Sequence, residues 1–450
     1  MELKGKKIFV GGLGVSGTAL CQVLVNLGAK VVAYDKRDET ALKEVLERLE
    51  GLPLEIRLGD FRKEFLEGIE LVVLSPGIPL DSEIAKTAEE MGLEIIGEVE
   101  LAYRLSKAPI YAITGTNGKT TTTSLLGEML KNAGRKVYVA GNIGYPLIYA
   151  ALEAMPHDYI VAEISSFQLE TIKEFRPRIS CIINITPDHL DRHKTFENYV
   201  RIKGRIFENQ KEEDYVVLNC DDTVVWNLKE KARAKVFPFS RKKVLKYGAY
   251  VKGDFLYIEN KKVIKVEEIY IPGEHNLENA LAASSIAYLS GIDVEVISTT
   301  LKTFKGVEHR IEFVAEIEGI RFYNDSKGTN PDASIKAIQA LKTPIVLIAG
   351  GYDKGSSFEE FVKAFDKRVK KLILMGQTAE KIKEAALLKG YPEEDIFLVN
   401  SMEQAVNKAF EVAEKGDSVL LSPACASWDM FKNFEERGNA FKKAVLGLRR

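Results

Sequence analysis

The stretch Gly115-Thr116-Asn117-Gly118-Lys119-Thr120-Thr121 constrains this chain more than any other. It follows the apolar run Ile110-Tyr111-Ala112-Ile113 and precedes the helical pattern Thr122-Thr123-Ser124-Leu125-Leu126. A strand, a glycine-bearing turn and a helix opening on Lys-Thr are the parts of an α/β sheet with a phosphate cradle at a strand end. Glycines let backbone N–H groups approach phosphate oxygens, and the helix N-terminus adds positive potential. In such a turn Lys119 reaches the β- and γ-phosphates and Thr120 ligates Mg²⁺. The common phosphate loop has four residues between its glycines, and here there are two. The segment Gly115–Thr121 therefore reads as an ATP site with its own spacing.

A second glycine turn lies near the N-terminus. Ile8-Phe9-Val10 reads as a strand, and Gly12-Leu13-Gly14-Val15-Ser16-Gly17 opens a helix through Ala19, Leu20 and Val23. The next strand, Val31–Tyr34, ends in Asp35. This spacing fits a dinucleotide turn with Asp35 on a ribose hydroxyl, and it fits another nucleotide diphosphate equally well. Two such turns in one chain point to two different nucleotides.

A length of 450 residues suggests about three domains. The net charge of −2 argues against a nucleic-acid or membrane-surface partner. No apolar run reaches membrane-spanning length, and Met1–Gly5 leads into a strand without a signal-peptide pattern. Cys21, Cys181, Cys220 and Cys425 form no Cys-x-x-Cys pair. They fit a reducing, cytoplasmic setting.

The first segment, residues 1–97, alternates strand and helix. Its strand Leu71–Leu74 runs into the rigid loop Ser75-Pro76-Gly77-Ile78-Pro79. The second, 98–306, holds the cradle and strands at Lys136–Ala140, Tyr159–Ala162, Ser180–Asn184 and Tyr215–Leu218. Turn signals at Gly253-Asp254 and Glu259-Asn260 add a small antiparallel sheet. Helices are expected at Asn276–Leu289 and Val294–Phe304. The third, 307–450, alternates five strands with helices, including one at Phe358–Val369, and reads as a doubly wound parallel sheet.

Candidate chemistry falls at strand ends. Glu163 closes a buried strand where an acid holds Mg²⁺ near a γ-phosphate. His189, in Asn184–His193, lies past a strand expected to run parallel to it, which makes a second metal reasonable. Lys203 on the following helix reads by default as a solvated lysine. In the third segment, Tyr323–Pro331, Gly350–Gly355 and Leu421–Asp429 are polar loops at three carboxyl strand ends. Together they make a binding edge for an anionic ligand.

These motifs, in order over the whole chain, resemble the Mur ligase family. The resemblance is carried by Thr114–Thr123, Gly141-Asn142-Ile143-Gly144, Glu163–Leu169, Asn184–Arg192, Gly273–Ala280, His309-Arg310, the three C-terminal loops and Phe431–Gly438. It implies a Rossmann-like N-terminal domain for a UDP-sugar, a central ATPase domain and a C-terminal Rossmann-like domain for the amino acid. The implied reaction adds D-glutamate to UDP-N-acetylmuramoyl-L-alanine through an acyl phosphate, giving ADP and phosphate. The first turn then holds UDP and not NAD. The implied UDP-substrate residues are Gly14, Val15, Ser16, Asp35, Lys36, Arg37, Ser75, Gly77, Asn142 and Ser165.

Asn276 and Asn279 are implied on the adenine side of ATP, and Arg310, Asp325 and Lys327 on its phosphate and ribose. Thr329, Lys354, Ser427 and Phe434 are implied around D-glutamate. The implied catalytic set is Lys119, Glu163, His189 and Lys203. Thr120 and Glu163 hold one Mg²⁺, and His189 holds a second with Lys203, which CO₂ converts to a carbamate. A monomer is expected, with a hinge at Lys305-Gly306-Val307. A folylpolyglutamate synthase-like ligase shares the cradle but lacks the first domain.

Overall fold

The computed structural model describes residues 1–341, 344–353 and 355–448. Among these residues three sheets follow one another along the chain. The first contains β1 (Lys7–Gly11), β2 (Lys30–Asp35), β3 (Leu54–Leu58), β4 (Leu71–Leu74) and β5 (Glu94–Gly97). Its order is β3-β2-β1-β4-β5, all parallel. The order reverses between β1 and β4, where such sheets open a crevice. The glycine turn leaves β1 at that point, and the Ser75–Pro79 loop leaves β4.

The second sheet contains β6 (Ile110–Thr114), β7 (Val137–Gly141), β8 (Tyr159–Glu163), β9 (Ile179–Ile182), β10 (Tyr215–Asn219), β11 (Lys235–Ser240), β12 (Ala249–Lys252), β13 (Phe255–Ile258) and β14 (Lys261–Lys265). All five residues of β6 are buried, as an apolar run in a covered parallel sheet must be. It lies between β9 and β8, with Ile113 opposite Glu163. That register puts the β8 carboxylate beside the cradle. The antiparallel strands β12–β14 extend the same sheet, because β12 pairs in parallel with β11. Glu259 and Asn260 take positive φ in the β13–β14 turn.

The third sheet contains β15 (Glu312–Ile317), β16 (Ile320–Asn324), β17 (Ile345–Ala349), β18 (Val369–Leu374), β19 (Ile396–Leu398) and β20 (Ser418–Leu421). Its order is β15-β16-β20-β17-β18-β19, parallel except for β15. That antiparallel edge turns through Glu318 and Gly319, both at positive φ. Neighbouring residues of β17 face opposite cores, Leu347 with Phe361 and Leu374, Ile348 with Ile373 and Phe441. The helix expected over Phe358–Val369 spans only Glu359–Lys363. Asp366 and Lys367 sit at positive φ and break it.

The chain forms two compact units, Met1–Val266 with Glu278–Thr300, and Glu267–Leu277 with Leu301–Arg450. The first two sheets thus share one unit. The helix Glu98–Leu105 packs against Leu147–Glu153, and Leu20, Leu24, Leu101, Ile148 and Ala151 belong to one core.

Candidate active site

A cavity of about 760 Å³ opens at the β1/β4 reversal. Gly14, Val15, Ser16, Asp35, Lys36, Arg37, Ser75 and Gly77 all line it, with Phe61 and Ile78 as apolar wall. Gly17 packs so tightly that a Cβ there would stand 1.7 Å from the Gly12 carbonyl oxygen. Asp35 does not reach out for a ribose. Its Oδ2 accepts from the Leu13 N–H at 2.8 Å and from Arg37 Nη2 at 2.8 Å. Its Oδ1 accepts from the Arg37 N–H and Nε, both at 2.9 Å. A carboxylate has about four lone-pair positions, and four donors fill them. Burial would raise the Asp35 pKa, but the Arg37 and backbone hydrogen bonds outweigh it and hold the group below its ordinary value. Asp35 thus braces the turn and Arg37 from the cavity lining.

The cradle leaves β6 and enters the helix Lys119–Asn132 through Gly118. Gly118 has φ +83, and a Cβ there would stand 2.1 Å from Asn279 Oδ1. Asn279 is buried and accepts from the Thr122 hydroxyl at 3.3 Å. Its side chain thus supports the base of the cradle. Asn184, two residues past β9, was not among the site residues expected from sequence. Its Oδ1 accepts from the Asn117 N–H at 2.9 Å, its Nδ2 donates to the Asn117 carbonyl at 3.1 Å, and its own carbonyl accepts from Thr116. Lys119 Nζ folds back onto the carbonyls of Gly115 (3.0 Å) and Thr116 (2.9 Å).

Glu163 is buried beside this turn, with Oε1 accepting from Asn142 Nδ2 at 3.0 Å. Its Oε2 is buried without a hydrogen-bond partner. An orphaned carboxylate oxygen is costly unless something else binds it, and a hard cation is a suitable occupant. Thr120 is buried at the start of the adjoining helix. Among the described residues no three His, Cys, Asp or Glu gather as a metal site. A Mg²⁺ ion takes only one or two protein ligands beside water and phosphate oxygens. Ser165 caps the next short helix in a capping box with Gln168.

Lys203 is not a surface lysine. It is 1% exposed, and its Nζ donates to the Gly115 carbonyl at 2.8 Å and to Thr114 Oγ1 at 3.4 Å. Burial first, and then the Lys119 charge, push its pKa well below the ordinary lysine value. A file of rings leads from it. Lys203 Nζ lies 4.9 Å from the Tyr199 ring, Tyr199 5.2 Å from His193, His193 5.5 Å from Phe167, and Phe167 4.9 Å from His189. His189 has φ +52 and a half-exposed side chain near Asp188. His193, another missed residue, is buried with Nε2 on the Ser166 hydroxyl at 2.9 Å. Burial holds its pKa below the usual histidine value. Arg192 pairs with Glu170 and reaches the carbonyls of Pro76 and Ile78 in the cavity wall.

In the second unit Asp325 is buried. Oδ2 accepts from the Ser422 hydroxyl at 2.7 Å and Oδ1 from the Ile311 N–H at 3.2 Å. Burial pushes its pKa up to about 7. It pins the β16 and β20 loops together. Arg437, also missed, is 2% exposed. It donates to the Ser326 hydroxyl and to the carbonyls of Ser326, Cys425 and Ala426 at 2.8–3.0 Å. Those bonds set the loops carrying Lys327, Thr329 and Ser427. Lys327 Nζ lies 5.3 Å over the Phe434 ring. Arg310 Nε is buried without a partner, and Asn276 Nδ2 donates to the Pro272 carbonyl at 2.7 Å. Lys354 lies outside the described residues.

A phosphate cradle on a central sheet, a nucleotide-sized cavity on the first and a loop edge on the third match three family models. These are the Mur ligase MurD-like N-terminal domain (residues 6–97), the Mur ligase middle domain (113–287) and the Mur ligase glutamate ligase domain (309–425). The chain belongs to the Mur ligase family. Among solved structures, the ligase MurC of Thermotoga maritima superposes with a TM-score of 0.61 at 20% identity, covering 98% of this chain and 99% of that one. The MurF ligase of the same organism, solved with ADP, gives 0.59 at 19% over 100% and 97%. These establish the fold. Within the family, the UDP-N-acetylmuramoylalanine–D-glutamate ligase of Caldanaerobacter subterraneus is 82% identical over the full length of both chains. The enzymes of that name from a Thermoanaerobacter species and from Alkaliphilus oremlandii are 72% and 51% identical, again over all of both chains.

Proposed function

We propose that this chain is an ATP-dependent ligase that adds D-glutamate to UDP-N-acetylmuramoyl-L-alanine and gives ADP and phosphate. The observation that carries the substrate assignment is the end-to-end 82% identity with the Caldanaerobacter ligase. The local chemistry agrees with it. A carboxylate does not accept an amine directly, because oxide is a poor leaving group. Phosphorylation by ATP makes an acyl phosphate. The amine nitrogen attacks its carbonyl carbon, the C–O bond to phosphate breaks and an amine proton is lost to solvent.

Two anions meet in the first step. Lys119 offsets their repulsion, and Thr120 and Glu163 would hold a Mg²⁺ that would supply further positive charge. Burial and Lys119 favour a neutral Lys203 amine, the form that attacks CO₂ and loses a proton to become a carbamate. This supports Lys203 as an anion near the cradle; its pairing with His189 on a second Mg²⁺ rests on the family resemblance. The cavity at β1/β4 takes the UDP moiety through the helix N-terminus at Val15 and Ser16 and the Lys36–Arg37 edge. Thr329, Lys354, Ser427 and Phe434 hold D-glutamate, with Asn276, Asn279, Arg310, Asp325 and Lys327 serving ATP. No described helix is long and apolar enough to cross a membrane. The substrates are small molecules, and we read the enzyme as a cytoplasmic monomer of three domains, 1–97, 98–306 and 307–450.

The test is phosphate release with UDP-N-acetylmuramoyl-L-alanine against a panel of amino acids. D-Glutamate supports turnover, with ADP as coproduct. Turnover with another amino acid in preference would overturn the substrate assignment, and AMP would overturn the acyl-phosphate route.

A further inference from the structure

Glu98 is 1% exposed and lies between the first two sheets. The Ser16 hydroxyl donates to its Oε2. The Ile148 N–H donates to Oε1 at 3.3 Å, and the Leu147 N–H bonds the same carboxylate. Glu98 is also the first residue of the helix Glu98–Leu105, and Ser16 the second of Val15–Asn26. Both helix starts lack a side-chain cap, so their positive ends favour an anion there. Burial raises the Glu98 pKa, and the bonds from Ser16, Ile148 and Leu147 oppose that rise. Tyr149 feels the Glu98 charge, and its hydroxyl donates to Gln22 Oε1.

A hydroxyl has one proton to donate. Ser16 gives its proton to Glu98, so its oxygen offers only lone pairs to the cavity it lines. Ser75, which also lines the cavity, likewise donates to the Gly12 carbonyl at 2.6 Å. The donors left for an anion at the turn are backbone N–H groups of the helix start.

We propose that Glu98 is a positioning residue that restrains anion affinity in the cavity, by holding the Ser16 hydroxyl proton away from the diphosphate of a nucleoside-diphosphate sugar. The proposal rests on the reading of the cavity as the UDP site. Glu98→Gln reverses the hydrogen bond. The amide oxygen keeps the Leu147 and Ile148 N–H groups, the amide nitrogen donates to Ser16 Oγ, and the Ser16 proton turns to the diphosphate.

The experiment is calorimetric titration of the full chain with UDP-N-acetylglucosamine at mildly alkaline pH, which favours the carboxylate against the rise that burial brings. Glu98→Gln should bind about tenfold tighter, the worth of one hydrogen bond to a charged group. KM for the UDP-linked substrate should fall with it while KM for ATP stays. In the Ser16→Ala background Glu98→Gln should bring no gain. If the Gln variant folds poorly, Glu98→Asp keeps the charge but withdraws it from Ser16 and should also tighten binding. A merely structural Glu98 predicts weaker binding, and equal or weaker binding by folded variants overturns the proposal. A gain that persists without the Ser16 hydroxyl overturns it too. Absence of any binding by the unaltered chain defeats the UDP reading itself, and the proposal with it.

Discussion

Gly118→Ala tests what shapes the cradle. At φ +83 a residue with a Cβ costs about 1–2 kcal/mol. The new methyl would also stand 2.1 Å from Asn279 Oδ1 and 3.1 Å from its Cγ. Asn279 is 2% exposed, so the amide stays out of water wherever it moves locally. Moving it breaks the Thr122 hydrogen bond and leaves buried polar atoms short of a partner, a cost of about 1–3 kcal/mol. The two parts sum to about 2–5 kcal/mol. Urea unfolding of the Gly118→Ala variant should show that loss, together with a raised KM for ATP as the helix N–H groups re-aim. In an Asn279→Ala background the obstacle is gone and only the backbone part of about 1–2 kcal/mol should remain. Equal costs in the two backgrounds would refute the steric argument.

Glu163→Gln keeps the Asn142 contact but removes the charge on the orphaned oxygen. Turnover should fall about 100-fold or more, and ordinary turnover at the same Mg²⁺ concentration would remove Glu163 from the metal site. Lys203→Ala should abolish most activity, with no recovery in bicarbonate. Carbon-13 NMR of the unaltered enzyme in labelled bicarbonate should show a carbamate signal that the variant lacks, and its absence from both would defeat the carbamate. Asp325 has its folded pKa raised from 3.8 to about 7. The folded state therefore binds the extra proton across that window, and the stability it brings is full below the lower value and lost as pH rises through the upper one. Asp325→Asn should flatten that part of the stability–pH curve, and an unchanged slope would show the group ionises alike in both states.

The cradle was legible because its strand, turn and helix are contiguous. The place of Glu163 was legible for a similar reason: the apolar run before it forms the buried strand that it ends. From the residues alone Lys203 reads by default as solvated, and only the resemblance gives it a place in the site, yet a burial signal is present in the sequence. Tyr199, Ile202, Lys203, Ile206 and Phe207 repeat at helical spacing and are all buried, so the lysine falls on the apolar stripe. The filling of Asp35 by Arg37 could not be read, because it depends on where a flexible side chain folds back. Arg437 and His193 were hidden likewise. Their partners come from distant loops that meet only in the folded chain. The shortening of the Phe358–Val369 helix reflects two residues at positive φ that no glycine announced.

The occupied carboxylate of Asp35 bears on how such a turn changes its ligand during descent. The backbone that cradles a diphosphate is indifferent to what lies beyond it, so identity is read by the acid after β2 and its neighbours. Truncation of Arg37 would vacate two of the four lone-pair positions on Asp35 and leave the backbone donors in place. Two open acceptors side by side suit the vicinal hydroxyls of a ribose. On this scaffold the step from a filled acid to one with two open acceptors is a single side chain, that of Arg37.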